Sequence, residues 1–419
     1  MKPKILTTIV GYTPRQFGAD ALAGLTVALV ALPLSIAIAI ASGAPPAAGL
    51  VTAVIAGFLI SALGGSRVQI GGPTGAFIVV VYGIIHAHGY DGLLQATLMA
   101  GAILLVAGVL GVGRLIRHVP VAVIGGFTIG IAVVIAVSQF KDLAGMKGAA
   151  LPADFLPKIA GLWAMRDSFD PIALALGVGC VTAILVTRRI MPKIPWQVIV
   201  VALASASAHF ALPSIETVAG HYGPLPGGLP APHLPTLDTA KMPELIVPAL
   251  TIAFLVAIES LLSAIVADRM IGATHRSGAE LIAQGVANIA SPLFGGLPAT
   301  GAIARTATNV NAGGRTPVAG MIHALAIFAA LFVAAPLAGA LVLPSLAGLL
   351  IVTAWTMSEP HRWSERLRLP KPELALLLLT ATLTVFADLT VAIVVGTVIG
   401  LALEFSRMRI AQAKNDEDV

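Results

Sequence analysis

Apolar stretches of bilayer-crossing length recur from Ala21 to Phe405, separated only by short segments carrying Pro, Gly or charge. A soluble domain cannot hide such a chain, because its surface needs polar side chains to stay dispersed. Only 11% of the 419 residues are charged and 57% are hydrophobic, so that polar surface is missing. The recurrence excludes a single anchor, and a transmembrane barrel would read as ten-residue alternations that this sequence lacks. Helices of about 20 residues with short connections leave room for roughly 12 to 14 crossings. The expected fold is an all-α, polytopic membrane protein.

Apolar runs place the spans at 19–41, 46–63, 73–88, 92–111, 119–138, 171–187, 195–212, 244–267, 279–292, 299–311, 317–335, 338–355, 372–387 and 389–405. With the N-terminus cytoplasmic, 20 of the 25 Lys and Arg residues fall inside. Lys141, Lys147, Lys158, Arg166 and Lys241 fall outside. This is the positive-inside pattern, so both termini are expected in the cytoplasm of a cell whose inner (plasma) membrane holds the chain. The basic pI of about 9.5 is then a topology signal and implies no nucleic acid. The connections 139–170 and 213–243 are expected outside, and the charged tail is expected to be disordered. One cysteine, Cys180, rules out an intrachain disulfide. The first apolar run continues unbroken to Ala41, which does not read as a cleavable signal peptide.

Two segments break the apolar background: Gly71-Gly72-Pro73-Thr74-Gly75-Ala76 and Gly295-Gly296-Leu297-Pro298-Ala299-Thr300-Gly301-Ala302. Both read Gly-Gly, Pro, Thr-Gly-Ala, and Gly75 and Gly301 stand 226 residues apart. They fall in the third and tenth spans, which are too short to cross about 30 Å at about 1.5 Å per residue. The repeat unit is therefore seven spans, and an odd unit inverts the second copy. Helices that start in mid-membrane leave N-terminal N–H groups without partners and present a positive dipole end, which suits an anion. Paired interrupted helices in corresponding positions point to a transporter's substrate site. Thr74, Gly75, Ala76, Ala299, Thr300, Gly301 and Ala302 are its expected residues, the two threonine hydroxyls facing the anion or capping the helices. Phe77 either walls the cavity or packs ordinarily.

Glu259 is the acid placed well inside an apolar span, where an ionised carboxylate must be paired, face a cavity or take up a proton. Ser263 follows one turn later on the same face. Arg305 lies just beyond the second helix start and offers charge to a substrate, a partner to Glu259, or a cytoplasmic arginine. Asp167 and Asp170 flank a helix start as caps. His86 and His88 share a short loop, and no metal-ligand spacing, catalytic triad, phosphate loop or dinucleotide fingerprint is evident. Neither an enzyme nor a cofactor is expected.

At the second motif the run from Gly295 through Arg305 to Gly320 resembles the tenth-helix region of the SulP family of anion transporters, solute carrier family 26. Ala31-Leu-Pro-Leu-Ser-Ile-Ala-Ile-Ala-Ile-Ala-Ser-Gly43 is similar to the first span of its bacterial bicarbonate-type members. The resemblance implies fourteen spans in two inverted seven-helix repeats, the uracil-permease fold, with half-helices at spans 3 and 10. It implies a core domain over 19–111 and 244–335 and a gate domain over 112–212 and 336–405. The remaining parts are the cytoplasmic N-terminus 1–18, the extracellular loop 213–243 and the cytoplasmic tail 406–419. A homodimer in membrane lipid moving its core as an elevator is likewise implied. The family's eighth-span acid takes part in cation coupling, and a sodium-coupled member pairs Asp with Thr four residues on. Here the pair is Glu259 and Ser263: proton coupling is the expectation, and sodium held by Glu259, Ser263 and Thr300 the alternative. Many members carry Gln where this chain has Leu34. Members also carry a STAS domain after the last span, while this sequence runs 14 residues past Phe405. The expected function is secondary active symport of a small inorganic or organic anion: sulfate, bicarbonate or a dicarboxylate. Anion exchange, a nucleobase permease and an uncoupled anion channel are the alternatives.

Overall fold

The computed structural model describes residues 2–114, 120–191, 194–212, 214–235, 240–387, 391–392 and 394–403; the expected tail 406–419 lies outside the described residues. Helices stand at the expected runs: α1 (Pro14–Ala41), α2 (Pro46–Leu63), α3 (Ile78–Val109), α4 (Val121–Ser138), α5 (Pro171–Ile190) and α6 (Trp196–Ala211). The second half supplies α7 (Met242–Ile271), α8 (Ser277–Leu293), α9 (Ile303–Asn311), α10 (Pro317–Val333), α11 (Leu343–Met357), α12 (Lys371–Phe386) and α13 (Val394–Leu403).

Local chemistry accounts for their starts. Proline occupies the first turn of α1, α2, α5, α7, α10, α11 and α12, where its missing N–H costs nothing. Thr13 and Gln16 close a capping box at α1. Asp170 caps α5, accepting from the Ile172 and Ala173 N–H groups, whereas Asp167 sits in a 3-10 turn and caps nothing. α3 is two helices that meet at Gly89, matching expected spans three and four; the φ of 73° there is a value suited to glycine.

Six helices among the described residues are long and apolar enough to cross a bilayer on their own, fewer than the fourteen spans expected. Others are shorter, such as α6, α10 and α13. The difference at α8 is chemical. Glu280, Gln284, Asn288 and Ser291 form a polar stripe at helical spacing, fully buried against protein.

Helices from the two halves of the chain interleave. α8 packs on α2 and α3, α7 on α3, and α10 on α1 and α2, while α12 packs on α4 and α11 on α5. Lipid offers little hydrophobic drive between helices, so close approach of backbones carries the association. At the α3–α8 crossing a Cβ on Gly101 would stand 2.8 Å from the Gly285 carbonyl, and one on Gly285 equally close to the Gly101 carbonyl. Gly101→Leu is therefore expected to destabilise the protein by about 1–3 kcal/mol through overpacking. Thermal unfolding in detergent checks this; a melting temperature equal to that of the native protein contradicts it.

Candidate functional site

The two glycine-rich motifs meet at one point. β1 (Gly71–Gly72) pairs antiparallel with β2 (Thr300–Gly301), Gly71 opposite Gly301 and Gly72 opposite Thr300. Directly after each strand a helix begins: a 3-10 turn at Gly75–Phe77 leading into α3, and α9.

So short a pair is held by its surroundings. Asn288 Nδ2 donates to the Ala299 carbonyl at 2.8 Å, and its Oδ1 accepts the Ala299 N–H at 2.9 Å. Gln69 Nε2 donates to the Ser260 carbonyl at 3.1 Å. The Thr306 hydroxyl accepts the Ile70 N–H at 3.1 Å. All are buried, where unmade hydrogen bonds would cost most.

A cavity of about 1660 Å³ opens in front of this crossing. Pro73, Thr74 and Gly75 line it from one helix start, Ala302, Ile303 and Arg305 from the other. Ala302, the N-cap of α9, supplies no side-chain cap, and the Ile303 and Ala304 N–H groups have no partner among the described residues. These amides and the positive end of α9 face the cavity.

Arg305 adds a full charge. Only 3% exposed, its guanidinium donates from Nη2 to the Ser35 hydroxyl at 3.1 Å, while Nη1 is buried without a partner. A Cβ at Gly72 (φ 149°) would overlap Nη1, so glycine there makes room for the guanidinium. Glu259, 8% exposed, lines the same cavity. Neither Glu259 nor Arg305 forms an ion pair among the described residues. The site thus holds a free donor and a free acceptor.

Of the expected substrate residues, Thr74, Gly75, Ala302 and Arg305 reach the cavity. Ala76, Phe77, Ala299 and Thr300 are buried behind it, Phe77 within the hydrophobic core. Gly301 pairs in β2, where a Cβ would overlap the Gln69 amide. The Thr74 hydroxyl accepts the Ala76 N–H at 3.5 Å. The Thr300 hydroxyl donates to the Val256 carbonyl at 3.1 Å, and Ser263 Oγ lies 3.2 Å from Thr306 Oγ1. These two hydroxyls join α7 to the crossing and do not line the cavity with Glu259.

Several residues escaped sequence reasoning. Ser35 stands 270 positions from the arginine it holds. Asp20, 1% exposed, accepts from the Arg315 N–H at 2.8 Å, the Thr316 N–H and hydroxyl, and the Tyr12 hydroxyl. It fastens the start of α1 to the start of α10. Glu280 accepts the Gly65 and Ser66 N–H groups at 2.9 and 3.1 Å and fastens the α2–β1 loop to α8. The i, i+4 spacing of Glu280, Gln284 and Asn288 was the signal available for it. Ser277, His275 and Asp268 form a hydrogen-bonded chain, 3.0 Å from Ser277 Oγ to His275 Nε2 and 2.7 Å from Nδ1 to Asp268 Oδ2. The same Oδ2 accepts the His275 backbone N–H, so the chain closes the α7–α8 turn.

An apolar multi-helix chain enclosing a cavity at paired helix starts is a multi-pass membrane transporter by architecture. The sequence and the fold then place it more closely. Residues 17–380 match the model of the sulfate permease family, and the chain belongs to that family. It is 40% identical to the putative sulfate transporter YvdB of Bacillus subtilis, over 97% of this chain and 77% of that protein. Identity to the bicarbonate transporter BicA of Picosynechococcus is 31%, over 97% and 73%. Among solved structures, the transmembrane domain of a cyanobacterium bicarbonate transporter BicA matches with a TM-score of 0.82 at 29% identity, covering 91% of this chain and 98% of that one. Murine Solute Carrier 26 family member A9 shares the fold, with a TM-score of 0.86 at 17% identity over 97% and 71%. The family and these relatives are transporters, not enzymes.

Proposed function

We propose that the protein is a secondary active transporter of a small anion (sulfate, bicarbonate or a dicarboxylate), coupled to protons through Glu259. The antiparallel pairing of β1 with β2 carries the reading, since it brings two helix starts and the unpartnered Arg305 guanidinium to one cavity. Thr74, Gly75 and Ala302 shape the binding surface, and Arg305, positioned by Ser35, supplies the charge.

Alternating access follows from a division into two bodies. α1–α3 and α7–α10 form a core, α4–α6 and α11–α13 a gate. The heaviest packing, of α8 on α2 and α3, α10 on α1 and α2, α12 on α4 and α11 on α5, lies within one body and supports this. The topology is two inverted repeats of seven spans, with short helices starting at the paired strands. Arg188, Arg269, Arg362 and Arg366 rim the cavity and belong to the side assigned to the cytoplasm, so the conformation is inward-open. The protein works as a homodimer whose core moves as an elevator in the inner membrane.

Radiotracer uptake into proteoliposomes, against a panel of anions and with imposed proton or sodium gradients, tests the function. Saturable uptake of one anion driven by a proton gradient is expected. Non-saturating flux indifferent to any gradient would identify a channel and overturn the reading. Orientation is tested by Pro230→Cys in a Cys180→Ala background. Residue 230 is exposed in the connection assigned outside, so an impermeant maleimide should label intact cells fully. Labelling only after permeabilisation reverses the topology.

A further inference from the structure

On the side of the molecule away from the cavity mouth, one aromatic ring bridges the two bodies. Tyr82, on α3 of the core, donates its hydroxyl to the Leu151 carbonyl in the connection between α4 and α5. From the same connection Lys158 extends over the ring, its Nζ 5.4 Å from the centroid. Lys158 is only 4% exposed; its ammonium makes no ion pair or hydrogen bond among the described residues, and Asp154, one turn earlier, is the carboxylate that acts on it from a distance. A buried ammonium normally has a counter-charge. Here Asp154 acts without pairing, and the face of the tyrosine ring supplies the direct contact. Burial holds the lysine's pKa below its usual range.

The connection itself is fastened to the gate. Phe155 packs edge-on against Phe386 of α12, their centroids 5.5 Å apart, and Asp170 N–H donates to the Ala144 carbonyl at 3.0 Å. Lys141 Nζ donates to the Gly148 and Ala149 carbonyls, fixing the stretch before Leu151. Beneath the ring lies Gly43 at the end of α1, where a Cβ would come within 3.3 Å of Tyr82. Its neighbour Ser42 is 1% exposed and its hydroxyl makes no hydrogen bond. A core that slides against the gate must break the Tyr82 contacts before the outer side can open.

We propose that Tyr82, held between Lys158 and the Leu151 carbonyl, is the external gate of the transport route, closed in this inward-open conformation. Opening frees the hydroxyl and the ammonium together at the outer mouth, where a cation attracts the incoming anion. The gate rests on the division into core and gate bodies proposed above.

Ser42→Cys in a Cys180→Ala background reports on it, because its hydroxyl bonds to nothing and its substitution removes no contact. An impermeant maleimide is applied outside proteoliposomes of known orientation. Losing one hydrogen bond shifts a two-state equilibrium about fivefold. Tyr82→Phe, which loses that bond, is expected to speed labelling by about that factor. Lys158→Gln, which loses the cation–π contact, should do so to a comparable extent, and Lys158→Arg should restore the slow rate. Labelling rates equal to the parent's in both variants overturn the gate. Thr74→Cys, labelled from the cytoplasmic side, tests the substrate site separately. If it stays protected from both sides while Ser42→Cys responds to the gate variants, the gate stands and the site assignment falls.

Discussion

Arg305→Gln is expected to lower anion uptake at subsaturating concentration on the order of 100-fold while leaving the protein folded. A hydrogen bond to a charged group contributes about 1.5–3 kcal/mol, and the Nη1 that would make it is buried, unpartnered and beside the cavity. Glutamine removes the charge yet keeps a donor for Ser35, so no orphaned buried charge threatens stability. Lysine keeps the charge but cannot fork between Ser35 and an anion, so Arg305→Lys should fall between the two, about tenfold down. Gly72→Ala puts a Cβ in the space of Nη1 at a φ of 149° that favours glycine, so its uptake should fall at least as far as the glutamine variant's and its melting temperature should fall as well. Uptake by the double variant should then be no lower than that of the worse single one, as expected for residues acting through one contact. Uptake in proteoliposomes, paired with a thermal melt of each variant, decides it. Native uptake by folded Arg305→Gln removes the arginine from the site.

That arginine illustrates what the sequence could reveal. The two glycine-rich motifs were legible because they repeat one pattern at matched positions, and the structure pairs them strand to strand. Arg305 followed from its place just after the second motif. Its anchor did not: one serine in an apolar run resembles any other until folding brings α1 beside α9. Hydroxyls show a second gap. Thr300 and Ser263 have the chemistry of ligands, but their bonds go to Val256 and Thr306, fastening α7 to the crossing. Sequence supplies donor capacity without the carbonyl that consumes it. The same gap affects Gly301, whose missing side chain leaves room for the Gln69 amide. Gly75, which borders the cavity opposite Met357 of α11, is the glycine whose enlargement would obstruct the route itself. Asp20 and Glu280 were hidden by position: an acid near a span's end reads as a boundary, yet each gathers backbone donors from a distant loop.

Glu259→Gln is expected to separate binding from accumulation. α7 is clasped to the crossing on both sides of this residue, by Thr300 at Val256 and by Thr306 at Ser263. The carboxyl is thereby held at the cavity, with no cation paired to it among the described residues. An ionised carboxylate there would repel an anion held by Arg305 and the α9 amides, and a bound proton would remove the repulsion. Proton and anion then bind cooperatively, with a reciprocal coupling of roughly 1–3 kcal/mol. The sign is fixed: acidification outside fills the carboxyl, raises anion affinity and speeds uptake, whereas alkaline conditions weaken it. Glutamine imitates the protonated state permanently. The variant should bind and exchange anion with little dependence on pH, and lose accumulation against a gradient, because no proton travels with the substrate. Counterflow and net uptake, measured in the same proteoliposomes at several pH values, separate these behaviours. Uptake that requires sodium and ignores pH would transfer the coupling role to a metal ion. Gradient-driven accumulation at the native level by Glu259→Gln would remove the carboxyl from coupling altogether.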